Sequence, residues 1–178
     1  MIIDHSRDKL MNAMVFFAKN TNYCGKIKMY KLLYFLDFEH YKEIGRSVTG
    51  LEYFAWKKGT VPKSLGAEID FIDTDASQLG EHLEIVRIPT QNNDLQLFVP
   101  KREFNRDHIT KREFRIVDSL ASEYRDTLAK DMIEATHLEN QPWGEIYNKQ
   151  GRKFEPIPYE LALRKHEKEV MLEYIRAQ

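Results

Sequence analysis

The chain contains a single cysteine, Cys24, among its 178 residues. One cysteine cannot form a disulfide within the chain and cannot supply a cysteine-rich zinc site, which agrees with a reducing compartment. No neighbouring feature of the sequence marks Cys24 as an activated thiolate. We therefore expect an unreactive thiol at the end of a helix.

Long apolar segments are also missing from the sequence. No run approaches the length of a membrane span, which needs about 18 apolar residues or more. The first nine residues, MIIDHSRDK, lack the charged and apolar regions of a signal peptide. We therefore expect a cytoplasmic protein with no membrane partner.

Charge of one sign is not in excess. Lysine and arginine number 27 against 28 aspartate and glutamate, giving a formal net charge of −1, so no bulk field favours nucleic acid. Two basic clusters are present, and we expect both to be solvated faces: Lys57, Lys58 and Lys63 in one, and Lys101, Arg102, Arg106, Lys111 and Arg112 in the other. Without a recognition-helix signature, nucleic acid is not an expected partner.

Residue sets for metal or phosphate chemistry are not found in the sequence. The six histidines include no HExxH motif and no pair at i,i+4 spacing. The turn at Gly59 lacks the further glycines of a phosphate-binding loop, so the Walker pattern is absent. We expect no metal, no cofactor and no catalytic residue.

Residues 26–62 predict the element around which the rest of the chain is organised. On a helical wheel for residues 29–43, apolar and aromatic side chains cover most of the circumference, including Met29, Leu32, Leu33 and Leu36. Such a helix must be covered on several sides, so we expect it at the centre of the core, with Lys31 and Lys42 at its solvent edge. Gly45 ends the helix as a left-handed cap.

The remaining patterns predict a mainly helical α+β single domain. Helices are expected over residues 7–20, around Leu65 to Ile72, after a capping box of Thr110 and Glu113, over residues 131–138 and over residues 159–176. Strands are expected at 51–56 and in a hairpin of 82–89 with 94–100, together forming an antiparallel sheet of about three strands. We expect a domain over residues 1–150 and a C-terminal helical extension over 151–178, packed on the domain or on a partner.

Asp37 and His40 are polar residues within the apolar sector of the central helix. Their i,i+3 spacing lets the side chains meet, and a nearby tyrosine hydroxyl can complete the network. The pair is interpreted as a buried structural hydrogen-bond network, with an acid/base dyad as the alternative. His137, with Glu139 and Trp143, is interpreted as a second local polar and aromatic network.

Two segments, KMYKLLYFLDFEHYKEIGRSVTGLEYFAWKKGTVPKSL and the later THLENQPWGEIY, resemble the Panacea domain, also called the SocA-like antitoxin or phage-associated protein domain. The family pattern is a helix close to KLLYFAD, a G-x-x-[IVT]-T-G turn, a strand, a G-P-V-P turn, and a distal threonine or serine with histidine followed by tryptophan. The matching positions are Lys31 to Tyr34, Asp37, Gly45, Thr49, Gly50, Gly59, Val61, Pro62, His137 and Trp143. The chain departs from the pattern at Thr60, where proline is common.

The resemblance implies a bacterial or prophage-encoded antitoxin without catalytic activity, which neutralises a cognate toxin protein through direct contact. Many toxins paired with this family inhibit translation. The resemblance leaves open an adaptor that delivers the toxin to a cellular protease. The rival classes are a nucleic-acid-binding regulator and a hydrolase that uses Asp37 and His40. Self-association also stays open.

Toxin contact is expected where aromatic side chains lie beside exposed charge. One such place is the strand and turn with Tyr53, Trp56, Lys57, Lys58 and Lys63. The other is the C-terminal segment, which lies outside the family motifs and carries Phe154, Tyr159, Met171 and Tyr174. We expect the strand and turn to be the shared docking face and the C-terminal segment to adjust specificity.

Overall fold

Helix α2, Lys26–Ile44, is the element on which the other elements pack. The computed structural model describes residues 5–137 and 141–178. Within this part of the chain, α2 contacts the first, fifth and sixth helices and both hairpins. It ends as expected at Gly45, which has φ 70° and donates its N–H to the Tyr41 carbonyl at 2.8 Å.

Seven further α-helices and four strands are found in the described residues. The helices are α1 Ser6–Asn20, α3 Lys63–Asp70, α4 Gln78–His82, α5 Lys111–Glu123, α6 Ala129–His137, α7 Pro142–Gly144 and α8 Lys165–Arg176. The strands are β1 Phe54–Trp56, β2 Gly59–Val61, β3 Leu83–Ile88 and β4 Leu95–Pro100. The predicted class, a mainly helical α+β domain around a central buried helix, is confirmed.

The strands form two separate two-stranded antiparallel sheets, β1 with β2 and β3 with β4, instead of one sheet of three strands. The reason lies at the edges of β1. One edge pairs with β2 in the register Phe54↔Val61, while the other carries a bridge from Phe54 to Pro156. Ala55 also donates to the Glu155 carbonyl at 2.9 Å. With both edges of β1 occupied, the β3–β4 hairpin cannot pair with that strand.

Helix α5 begins with the predicted capping box. Thr110 Oγ1 accepts the Glu113 N–H at 3.2 Å, and Glu113 Oε2 accepts the Thr110 N–H at 2.9 Å. Glu113 is buried, and its other carboxylate oxygen accepts a hydrogen bond from Lys9 Nζ of α1 at 2.5 Å. The box therefore joins the N-terminal parts of α1 and α5.

The C-terminal segment is not one helix over residues 159–176. A 3₁₀ turn, Tyr159–Ala162, is followed by extended backbone at Leu163 before α8 begins. Helix α8 packs on the end of α2, where a Cβ placed on Gly45 would lie 2.6 Å from Ile175 Cγ1. The division of the chain at residue 150 stays a prediction. Within the described residues, no helix has both the length and the apolar character needed to cross a membrane.

Candidate functional site

The Asp37 carboxylate is fully buried and accepts four hydrogen bonds. Its Oδ1 accepts the Val48 and Thr49 N–H groups, both at 2.8 Å. Its Oδ2 accepts the Thr49 hydroxyl at 2.5 Å and the Tyr53 hydroxyl at 2.6 Å. Burial raises the pKa of Asp37, and these hydrogen bonds oppose that shift. The carboxylate thus fastens the turn after α2 to the helix itself.

His40 does not take part in this set of hydrogen bonds. Its Nδ1 lies 2.7 Å from the carbonyl oxygen of Arg46, whereas Asp37 binds Thr49 and Tyr53. The expected direct pairing of Asp37 with His40 is therefore wrong. After Gly45 the chain folds back over α2. Backbone groups of this turn hydrogen-bond to the side chains of Asp37 and His40, so these two side chains do not bond to each other. The two residues hold successive parts of the same turn.

Lys31 is buried, with 1% of its surface exposed, although it was expected at the solvent edge of α2. Its Nζ donates to the carbonyl of Thr60 in β2 at 2.8 Å. The other fully buried lysine of α2, Lys28, donates to three backbone carbonyls: those of Asn22, Arg125 and Thr127. Because an ammonium group has three N–H donors, the hydrogen-bonding capacity of Lys31 is used less completely. Burial lowers the pKa of Lys31 to about 7.

Gly59 allows β2 to approach Lys31. It has φ 104°, and a Cβ there would lie 2.6 Å from Lys31 Nζ and 2.8 Å from Thr136 Oγ1. A side chain at this position would displace both the ammonium group and α6. The glycine of the G-x-V-P turn is therefore required by close packing over Lys31.

His137 and Trp143 form the stacked aromatic group that closes this region. Their rings stack at 3.7 Å between centroids, and Tyr147 stacks on the other side of Trp143 at 4.7 Å. Trp143 Nε1 donates to the Trp56 carbonyl at 2.8 Å, which joins the group to β1. Burial and the charge of Lys31 lower the pKa of His137. Glu139, expected with this group, lies outside the described residues.

We name Lys31, Thr60, Thr136, His137 and Trp143 the lysine cluster. Two of its polar atoms, Thr60 Oγ1 and His137 Nε2, are buried without a hydrogen-bond partner in the part of the chain that the structure describes. Polar atoms in this state raise the free energy of the folded protein. The lysine cluster therefore joins α2, β2, α6 and α7 at a cost in stability.

The residues expected to bind a partner fall into two groups in the structure. Tyr53 is fully buried against Asp37, so it belongs to the core and offers no surface. Tyr159 packs on Phe38 with 4.6 Å between ring centroids, and its hydroxyl donates to the Leu51 carbonyl, which makes it mainly a core residue too. Met171 faces Gly45 at the end of α2.

The exposed members lie in two places. Trp56 is 38% exposed and its ring meets that of Phe154, 63% exposed, edge to face at 5.7 Å. Lys57 and Lys58 form the turn next to them, and Lys63 Nζ lies 4.7 Å from the Phe54 ring centroid. Tyr174 is 49% exposed on α8. The hairpin contacts Lys31 and α8 contacts Gly45, and these two residues of α2 lie about 20 Å apart along the helix axis.

Most of α2, the turn after it and the β1–β2 hairpin lie in a region that matches a known family. Residues 29–144 match the model of the family described as Antitoxin SocA-like, Panacea domain. The match spans more than half of the 178 residues, and the chain belongs to this family. The resemblance read from the sequence motifs is thereby confirmed. No curated protein and no solved structure matches the chain.

The lowered pKa of Lys31 predicts a specific dependence of stability on pH. An unfolded lysine keeps its proton up to about pH 10.5, whereas folded Lys31 loses it near 7. Between these values the unfolded chain binds more protons, so Lys31 makes the free energy of unfolding rise with pH by about 1.4 kcal/mol per unit. The destabilisation caused by burying Lys31 has its full value below about pH 7 and decreases as the pH rises toward 10.5.

Lys31→Met should remove this dependence. The free energy of unfolding is measured by urea denaturation from pH 7.5 to 9.5. That of the wild type should rise relative to that of the variant by about 1.4 kcal/mol per pH unit. Lys42→Met, which removes an exposed lysine from the same helix, is the matched control. Parallel stability curves for wild type and Lys31→Met would show that Lys31 stays protonated in the folded state.

Proposed function

We propose that this chain is an antitoxin that binds a toxin protein, encoded by an adjacent gene, and neutralises it by direct contact. The observation that carries the proposal is the family match over residues 29–144. Within that region, motif side chains such as Lys31, Asp37 and Trp143 are buried and hold neighbouring segments together. We interpret them as the scaffold, with toxin recognition assigned to exposed residues.

The proposed toxin-binding face is the hairpin surface, defined as Trp56, Lys57, Lys58, Lys63 and Phe154. Two adjacent exposed aromatic rings within a rim of lysines have the composition typical of an interface anchor. Neither ring is fully buried by the fold, so both keep apolar surface that a partner can cover.

Helix α8 is proposed to adjust specificity. It presents Val170, 68% exposed, and Tyr174, 49% exposed, while Ile175 and Met171 hold the helix on Gly45. The exposed residues thus lie on a helix that is anchored to the domain from another side. An amphipathic helix in this position supplies contacts in addition to those of the hairpin surface.

Co-expression with the adjacent gene tests the proposal. The neighbouring product should arrest growth alone, and this chain should restore growth while the toxin level stays constant. A harmless neighbour contradicts the antitoxin proposal. Rescue accompanied by loss of the toxin indicates delivery to a protease. A regulator would instead bind its own promoter fragment with a steep salt dependence.

Phe154→Ala is expected to weaken toxin binding by about tenfold, equivalent to about 1.4 kcal/mol, because an aromatic anchor is lost from the interface. The matched control is Phe71→Ala, since Phe71 is 66% exposed and Phe154 is 63% exposed. Affinity is measured by calorimetry with an inactive toxin variant, and thermal melting checks the fold. If the two variants bind the toxin with equal affinity, the toxin contact lies outside the hairpin surface.

A further inference from the structure

A basic cleft of about 680 Å³ lies at the end of α2 opposite the lysine cluster. It is bounded by the start of α1, the turn that follows α2, and the start of α5. Its charged lining consists of Lys9, Arg46, Lys111, Arg112 and Glu113. Four cationic side chains therefore face one carboxylate.

Two of these cations are not neutralised within the protein. Lys9 binds Glu113 at 2.5 Å, and Arg112 lies 3.3 Å from Glu43. Arg46 and Lys111 are exposed and have no ion-pair partner among residues 5–137 and 141–178. The cleft thus keeps an unbalanced positive charge, although the chain as a whole has a formal charge of −1.

Backbone dipoles increase the positive potential of this cleft. Helices α1 and α5, of 15 and 13 residues, both begin at its wall, where Ser6 and Thr110 contribute to the lining. The first turn of a long helix carries a partial positive charge that favours anions. At α5 the Glu113 carboxylate already accepts the Thr110 N–H, so the cleft combines free cations, the N-terminus of α1, the partly compensated N-terminus of α5 and a concave shape.

The remaining lining indicates which anion fits. Ile44 and Val48 provide an apolar floor, and Ser47 adds a hydroxyl group. The aromatic rings among the described lining residues are the imidazoles of His5, which is exposed, and of His40, which is only 4% exposed, so the cleft offers little surface for stacking a nucleobase. This lining matches a peptide that bears carboxylates better than it matches a nucleic acid. The carboxylates can contact the cations, and the aliphatic carbons of the same side chains can contact Ile44 and Val48.

We propose that the basic cleft binds an acidic peptide segment, contributed in the cell by the toxin, at a second contact region distinct from the hairpin surface. The identity of the peptide's source depends on the proposed function. Capture of the acidic peptide itself depends only on the cleft. Arg46 and Lys111 form charged hydrogen bonds with the peptide carboxylates, and the helix N-termini add to the attraction.

The first experiment uses a fluorescently labelled hexaglutamate peptide and the full chain. Anisotropy should show binding that weakens as salt increases, and the double variant Arg46→Glu/Lys111→Glu should weaken it at least tenfold. The control Arg87→Glu/Lys130→Glu makes the same change in net charge at exposed positions outside the cleft. Equal loss in both double variants, or no binding by the wild type, overturns the proposal.

The second experiment separates the peptide from other anions and from the toxin. Inorganic phosphate or a labelled single-stranded oligonucleotide that competes more strongly than the peptide overturns the peptide assignment. With the toxin, the cleft variant should lose at least tenfold in affinity while the control does not. If the cleft variant binds the toxin as tightly as the wild type does, the cleft is not a toxin contact, and the antitoxin function is unaffected. If the wild type binds no toxin, the antitoxin function fails, and the hexaglutamate result alone decides whether the cleft is a peptide site.

Discussion

Truncation after Gln150 should abolish cooperative folding at ambient temperature. The deleted segment supplies the second edge partner of β1, through the bridge from Phe54 to Pro156 and the hydrogen bond from Ala55 N–H to the Glu155 carbonyl. It also supplies Ile157, which is 3% exposed, and Tyr159, which packs on α2. Losing two large buried side chains costs about 2 to 5 kcal/mol each, and the freed backbone groups add about 1 kcal/mol each.

The sum is comparable with the total stability of a typical domain, about 5 to 15 kcal/mol. Truncation after Leu163 is the matched control, because it removes α8 and keeps Ile157 and Tyr159. Circular dichroism and thermal melting should show a folded protein for the longer fragment and little cooperative melting for the shorter one. If the fragment ending at Gln150 melts within a few degrees of the full chain, the domain ends at residue 150 as the sequence predicts. A stable fragment ending at Leu163 that no longer holds toxin would place the main interface on α8.

Asp37→Ala should destabilise the protein by about 3 to 5 kcal/mol. The carboxylate is the acceptor for two backbone N–H groups, those of Val48 and Thr49, and for two hydroxyls, those of Thr49 and Tyr53. Its removal leaves several buried donors without an acceptor, and each costs about 1 to 3 kcal/mol unless water enters. Denaturant unfolding measures the loss directly.

Asp70→Ala provides the comparison for Asp37→Ala. Asp70 forms an ion pair with Lys26 at 3.1 Å, and its side chain is 65% exposed, so its loss should cost no more than about 1 kcal/mol. The structural interpretation of Asp37 fails if its alanine variant melts like the wild type and yet no longer protects cells. That result would make Asp37 a functional group.

Local pattern was sufficient to predict several parts of the molecule. Apolar side chains around residues 29–43 indicated the buried helix, Gly45 its end, and Thr110 with Glu113 the start of α5. Each of these features is determined by residues within a few positions of one another, so sequence periodicity and capping rules apply. The family motif positions Lys31 to Tyr34, Asp37 and Gly45 lie in the first two of these stretches.

Contacts between distant segments were not predictable in the same way. The helical wheel placed Lys31 toward solvent, but β2 and α6 cover that face and the Thr60 carbonyl binds its ammonium group. Asp37 was expected to bind a neighbour on its own helix and instead binds the turn that follows. The edge of β1 is filled by the far end of the chain.

The basic cleft shows the same limit. Arg46 and Lys111 belong to segments far apart in the sequence, where each reads as ordinary exposed charge. Packing of the N-terminal parts of α1 and α5 against the end of α2 brings them to one cavity. Sequence spacing carries no information on that arrangement.

The most direct test of the central claim is complex formation between the purified chain and an inactive variant of the adjacent gene's product. Size-exclusion chromatography with light scattering, at micromolar concentrations, measures the mass of any complex. Neutralisation by direct contact predicts a single species of defined stoichiometry with a dissociation constant below about 1 μM, equivalent to about 8 kcal/mol of binding free energy. Two separate peaks with the masses of the free proteins, in a pair whose co-expression still protects cells, would contradict it.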